Sequence, residues 1–85
     1  MEEITYRYDT QLLIDGDNLD EDAIDDYFCE NFEGDCLLVT GDEETVKIHF
    51  HTDRPWEVLA YCATIGEIYD IVVEDMVRQS EGNKG

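Results

Sequence analysis

The stretch "VKIHFHTDRP", Val46 to Pro55, holds the two histidines of an 85-residue chain, one residue apart. A third residue joins them by parity. In "ITYRYDTQLLI" (Ile4 to Ile14), Tyr6, Tyr8, Leu12 and Ile14 form the apolar parity of a strand, and Asp9 lies on the other. Val46, Ile48 and Phe50 form the apolar parity around His49 and His51. If the two strands are neighbours, Asp9, His49 and His51 share the face opposite the core. Two imidazoles and a carboxylate can hold a divalent metal, most naturally zinc with an open position. They can also pass protons or steady a phosphoryl group in transfer. A His-x-His on a strand can equally be a polar sheet face or a dimer contact, and the spacing leaves these readings open.

The elements around the three residues decide whether they meet. "ITYRYDTQLLI" is rich in β-branched and aromatic residues and closes on the turn cluster "DGDN". In "NLDEDAIDDYFCENF" the period changes. Asn18 is placed as the N-cap, with Asp20, Glu21 and Asp22 in a first turn where the helix dipole favours anions. Ile24, Tyr27, Phe28 and Phe32 fall at helical spacing, and Gly34 is read as the stop. "DCLLVTGDEETVKIHFHT" gives two strands around the loop "TGDEET". "DRPWEVLAYCATIG" is a second helix, with Asp53 as N-cap, Pro55 in the first turn and Gly66 at the end. Its buried stripe is Val58, Leu59 and Cys62, joined by Trp56 or Ile65. "EIYDIVVEDM" is the last strand, and "RQSEGNKG" reads as a frayed tail.

The order β-α-β-β-α-β predicts an α+β, ferredoxin-like split βαβ sandwich: a four-stranded antiparallel sheet with two helices on one face. First and third strands are then central neighbours, which brings Asp9, His49 and His51 together. The expectation is a single module over residues 1–79, followed by a flexible tail over 80–85.

Charge narrows the partners. Twenty-three acids against five bases (Arg7, Lys47, Arg54, Arg78 and Lys84) give a formal net charge of -18. Such a field repels phosphate backbones and anionic membrane surfaces, which argues against nucleic acid, and it favours a positively charged protein surface or a metal ion. No stretch approaches the about 20 apolar residues of a membrane span, so no membrane insertion is expected. The three cysteines (Cys29, Cys36, Cys62) show no CxxC spacing and read as free thiols in a reducing cytoplasm. Cys29 and Cys62 fall on helices, where a free cysteine packs as a small hydrophobe.

"GDCLLVTGDEETVKIHFHTDRPWEVLAYCATIGEIYDIVVEDMVRQ" resembles the central domain of the bacterial fatty acid kinase, a dihydroxyacetone-kinase-like, DegV-associated family. That family reads G-D-S-L-V-V-V, a short acidic loop, V-K-V-H-V-H-T, then N/D-P and V-L-x-Y-A. "YRYDTQ" stands where the family has Y-G-Y-C-T-E. The resemblance implies a domain that dimerises and carries a cysteine and two histidines needed to form an acyl phosphate. It lies between a kinase domain and a DegV-type fatty-acid-binding domain. His49 and His51 match the two histidines; Asp9 stands in place of the cysteine, and Trp56 where a small residue is usual. Aspartate can replace cysteine as a ligand or hydrogen-bond acceptor but not as a thiolate nucleophile.

With no nucleotide-binding domain in view, the chain is not a complete enzyme. The leading expectation is a stand-alone or excised central domain, a homodimer supporting an ATP-dependent fatty acid kinase alongside a kinase domain and a DegV-type fatty-acid-binding protein. The alternatives are a metal- or small-ligand-binding protein on the same fold and a purely structural dimerisation module. Beyond a divalent metal such as zinc at Asp9, His49 and His51, no cofactor is expected.

Overall fold

A computed structural model describes residues 5–80. The elements run β1 (Tyr8–Asp15), α1 (Glu21–Asn31), β2 (Gly34–Gly41), β3 (Thr45–Thr52), α2 (Pro55–Ile65), β4 (Glu67–Asp75) and α3 (Met76–Ser80). All strand pairs are antiparallel, in the order β2-β3-β1-β4. This is the expected split βαβ sheet, with β1 and β3 at the centre.

One sheet face makes the core. Leu12 and Ile14 of β1 and Val46, Ile48 and Phe50 of β3 are buried with Ile24 and Phe28 of α1 and Val58 and Cys62 of α2. α1 lies over β2, and α2 over β1 and β4. Phe28 is the aromatic hub, meeting the rings of Phe32, Phe50 and Tyr61 edge-on. Edge-to-face contact sets the positive rim of one ring on the negative face of another. Tyr27 stacks flat on Tyr61 at 3.8 Å, tying α1 to α2 at the outer edge of the same cluster.

Several element boundaries differ from the expected ones. The first strand begins at Tyr8; Ile4 lies outside the described residues, and Thr5 to Arg7 are not in the ladder. The Arg7 N–H donates to the Asp53 carboxylate, and its guanidinium grips Asp75 at 2.9–3.0 Å. That use of Asp53 leaves α2 with Arg54 at its N-cap and no side-chain cap; Thr52 instead accepts the Arg54 N–H at 3.2 Å. The α1 cap is Asp20, not Asn18. Its carboxylate accepts the Asp22 and Ala23 N–H groups, while Asn18 takes a left-handed φ of 57° in the preceding turn. That turn delivers Leu19, buried just before the cap, to the same core as Ile24, the arrangement of a hydrophobic staple.

Trp56 is 61% exposed, so Ile65 completes the α2 stripe. The last strand ends at Asp75, one residue before the expected Met76, and α3 runs from Met76 into the stretch read as a tail, with Asp75 accepting the Arg78 N–H. Residues 81–85 lie outside the described residues.

Gly34 does not stop α1. Phe32 already leaves the helix in an extended conformation, and Gly34 opens β2. A Cβ at Gly34 would collide with the His51 carbonyl and the Phe50 ring, so β2 can approach β3 only with glycine here.

Two substitutions test this packing. Gly34→Ala should lower stability by about 1–3 kcal/mol, the usual cost of overpacking. Thr10 is fully buried on the core face, and its hydroxyl has no hydrogen-bond partner among the described residues. Thr10→Val should therefore raise stability by about 1 kcal/mol, since an unmade buried hydrogen bond costs about 1–3 kcal/mol. Urea unfolding followed by circular dichroism reads both, and a destabilised Thr10→Val would show that the hydroxyl is satisfied.

Candidate functional site

The register of β1 on β3 sets Asp9 opposite His51 and Gln11 opposite His49. These four belong to the parity that leaves the core, so they stand on the helix-free face. Phe50, between the histidines, is buried under the helices. The structure thus brings together all three residues that parity alone places on one face.

The His49 and His51 Nε2 atoms are 3.2 Å apart, so one ring carries the hydrogen and the other accepts it. The Asp9 Oδ1 lies 3.6 Å from His49 Nε2 and 3.9 Å from His51 Nε2. Gln11 reaches both Asp9 oxygens with its amide at 3.5 Å. The side chains of His49, His51 and Asp9 keep 31%, 21% and 16% of their surface exposed, open enough for a small ligand to reach the nitrogens. Leu38, opposite His49 on β2, is exposed, as is Val72, opposite Gln11 on β4. The polar cluster therefore has an apolar residue on each flank of the face.

Strand periodicity does not single out Asp35 and Cys36, yet both stand beside the site. Asp35 pairs opposite His51, and its carboxylate lies 3.7 Å from His51 Nδ1. β2 bulges between Asp35 and Leu38, with Cys36 at a left-handed φ of 56°. Alternation counted from Leu38 would send Asp35 towards the helices; the bulge is what sets it opposite His51. The signal that could reveal both residues is the short hairpin, which folds "GDC" back across "HFHT".

The three cysteines are free and chemically unlike one another. Burial pushes the Cys62 thiol up to about 12. Cys29 donates to Asp25, and that hydrogen bond raises its thiol above the usual range. At Cys36 local desolvation and the neighbouring Asp35 carboxylate do the same, with Asp9 adding to the effect. All three thiols are therefore held in the protonated, weakly nucleophilic form near neutral pH. Native protein should react sluggishly with iodoacetamide at pH 7.5 through Cys29 and Cys36, and Cys62 should become alkylated only on unfolding. Peptide mass mapping reads the three sites, and rapid alkylation of Cys62 in native protein would contradict its placement.

Among the described residues no helix is long and apolar enough to cross a membrane. A family model described as the FakA-like middle domain of fatty acid kinase matches residues 5–83. An uncharacterized protein of Staphylococcus saprophyticus is 36% identical over 80 residues, covering 92% of this chain and 14% of its own length. Uncharacterized proteins of Staphylococcus epidermidis and Staphylococcus aureus are 38% and 39% identical over 82 residues, again covering 92% of this chain. The chain spans about one seventh of the length of these relatives.

Proposed function

The chain belongs to the FakA-like middle-domain family of fatty acid kinases, and from that premise we propose that it supports phosphoryl transfer to a fatty acid as a dimeric, cytoplasmic module. The kinase domain and a DegV-type fatty-acid-binding protein would supply ATP and the acyl chain. The observation that carries this reading is the convergence of Asp9, His49 and His51 on the open face, within 3.2–3.9 Å of one another.

The chemistry asks little of a base. A fatty acid carboxylate is already ionised near neutral pH, so its oxygen can attack the γ-phosphorus directly. The products are an acyl phosphate and ADP. What the transfer needs is placement and stabilisation of charge on the equatorial phosphoryl oxygens. The hydrogen shared between the His49 and His51 Nε2 atoms could be turned to a phosphoryl oxygen as the donor for that. Asp9, as an acceptor, orients the rings. A thiolate role at position 9 is lost with the aspartate. Leu38 and Val72 offer apolar surface beside the histidines, where the start of an acyl chain could lie.

The test is reconstitution with a separately expressed kinase domain and a fatty-acid-loaded DegV-type protein. His49→Gln and His51→Gln should each lower acyl phosphate formation by about 10²–10³-fold, the cost of losing a preorganised donor. Asp9→Cys, the family's residue, should raise it. Unchanged rates in both histidine variants would overturn the reading.

A second reading is favoured by one geometric fact. Tetrahedral zinc with nitrogen and oxygen ligands at about 2.0 Å spaces those ligands about 3.3 Å apart. The three donors of Asp9, His49 and His51 are separated by 3.2, 3.6 and 3.9 Å, close to one face of that tetrahedron. They would leave a fourth position for water or substrate. Elemental analysis of purified protein separates a metal site from a metal-free phosphoryl site.

Support for dimerisation comes from β4. This edge strand exposes Tyr69, Ile71, Val72 and Val73, apolar surface that a second copy could cover. With a net charge of -18 per chain, the two copies repel each other. Sedimentation should therefore show tighter association as salt rises to about 0.15 M, where the Debye length falls to about 8 Å. Monomer at every salt concentration would exclude the dimer.

A further inference from the structure

His51 presents one ring nitrogen to each of two clusters. Its Nε2 faces His49 and Asp9, while its Nδ1 faces Asp35 at 3.7 Å. On that second side, the donor atoms of Asp35, Cys36 and His51 all lie within 4.8 Å of one another. A single cation cannot be held by both nitrogens of one imidazole, because their lone pairs diverge in the ring plane. The two clusters are therefore two positions sharing a ring.

The backbone is shaped to make the second position. Consecutive strand residues point to opposite faces, so Asp35 and Cys36 could not both reach His51 from a regular strand. The β2 bulge removes that alternation, and Cys36 takes a φ of 56° to do it. A left-handed conformation is strained at any residue with a β-carbon other than asparagine or aspartate, so the fold holds Cys36 there against its preference. Bulges of this kind re-aim a side chain. Here the bulge brings the Asp35 carboxylate opposite His51 while the Cys36 thiol stays beside the same ring.

We propose that Asp35, Cys36 and His51 form a second divalent-cation position, selective for a thiophilic ion such as zinc or cobalt over magnesium or calcium. The assignment goes beyond the phosphoryl-transfer reading and does not depend on it. One sulfur, one nitrogen and one oxygen are a donor set that suits zinc and its neighbours, whereas magnesium and calcium prefer oxygen alone. An ionised thiol and an ionised carboxylate balance the two positive charges, and the thiol gives up its proton on binding. Asp35 and Cys36 are both exposed, so their side chains can close the remaining distance to bonding length without disturbing the core. The acidic field of the chain raises the local cation concentration further.

Cobalt(II) titration tests this, because a thiolate ligand gives a near-ultraviolet charge-transfer band that oxygen and nitrogen ligands do not. The intact protein should develop that band, Cys36→Ser should lose it, and Cys29→Ser should keep it. Asp35→Asn should weaken cobalt binding at this position at least tenfold. The double variant Asp9→Asn/His49→Gln dismantles the other cluster and should keep the band; Asp9→Asn alone serves if the double variant fails to fold by circular dichroism. No band in the intact protein, or a band that survives Cys36→Ser, overturns the proposal. A band lost with Asp9 and His49 also overturns it, by placing Cys36 in the same position as they occupy. None of these outcomes depends on acyl phosphate formation, so failure here is distinct from failure of the kinase reading.

Discussion

The register of β1 against β3 is the constraint on which the rest depends. Leu12 opposite Ile48 and Ile14 opposite Val46 fix the apolar halves of both strands under the helices. The same pairing fixes Asp9 opposite His51 on the other side. Because side chains alternate, a slip of one residue would carry the histidines into the core and Phe50 into water. Burying several large apolar side chains, each contributing about 1.5–3 kcal/mol, holds the register. The site is thus positioned by hydrophobic burial in which its own residues take no part. Asp9 and the histidines stand outside the buried set that holds the register.

That separation matters in a chain with so thin a core and so high a charge. Self-repulsion among the acids opposes compaction, and some acids offset it through specific bonds. Asp20 caps α1. Asp42 accepts the Glu44 and Thr45 N–H groups in the β2–β3 loop, which holds its carboxyl below the usual range. Asp75 takes the Arg7 guanidinium and begins α3, and the hydrogen bonds from Arg7 lower its carboxyl too. Each accepts from backbone N–H groups, and Asp75 from a guanidinium as well. The acidic composition is partly the framework of the turns.

Periodicity makes the sheet and its two main helices legible, and parity places Asp9, His49 and His51 on one face. Competition between equally suitable acids hides the caps. Asn18 and Asp20 both suit an N-cap, and only the burial of Leu19 between them selects Asp20. Asp53 suits a cap as well, but the Arg7 backbone, far away in sequence, claims its carboxylate. The bulges are hidden more deeply. Cys36 and Asp70 adopt left-handed φ values of 56° and 51° without a glycine to mark them. Tertiary packing imposes these conformations, and a strand pattern read in isolation counts straight through them. At β4 the bulge sits between the partners of Gln11 and Leu13, where an extra residue shifts the faces of the edge strand. On β2 the same effect hides Asp35, which regular alternation from Leu38 would turn away from His51.

The site holds a carboxylate and a thiol on opposite sides of the His51 ring. On β1, beside both histidines, stands the Asp9 carboxylate, reached by the Gln11 amide. The nearest thiol is on β2, across His51 from Asp9. The imidazole keeps an anion-forming neighbour on each nitrogen, Asp9 at one and Asp35 at the other. At 3.9 and 3.7 Å these are charge neighbours rather than hydrogen-bond acceptors; the hydrogen bond of the ring is to His49. A ring with one fixed acceptor is committed to one tautomer. A ring flanked by a carboxylate on each side is not committed in that way.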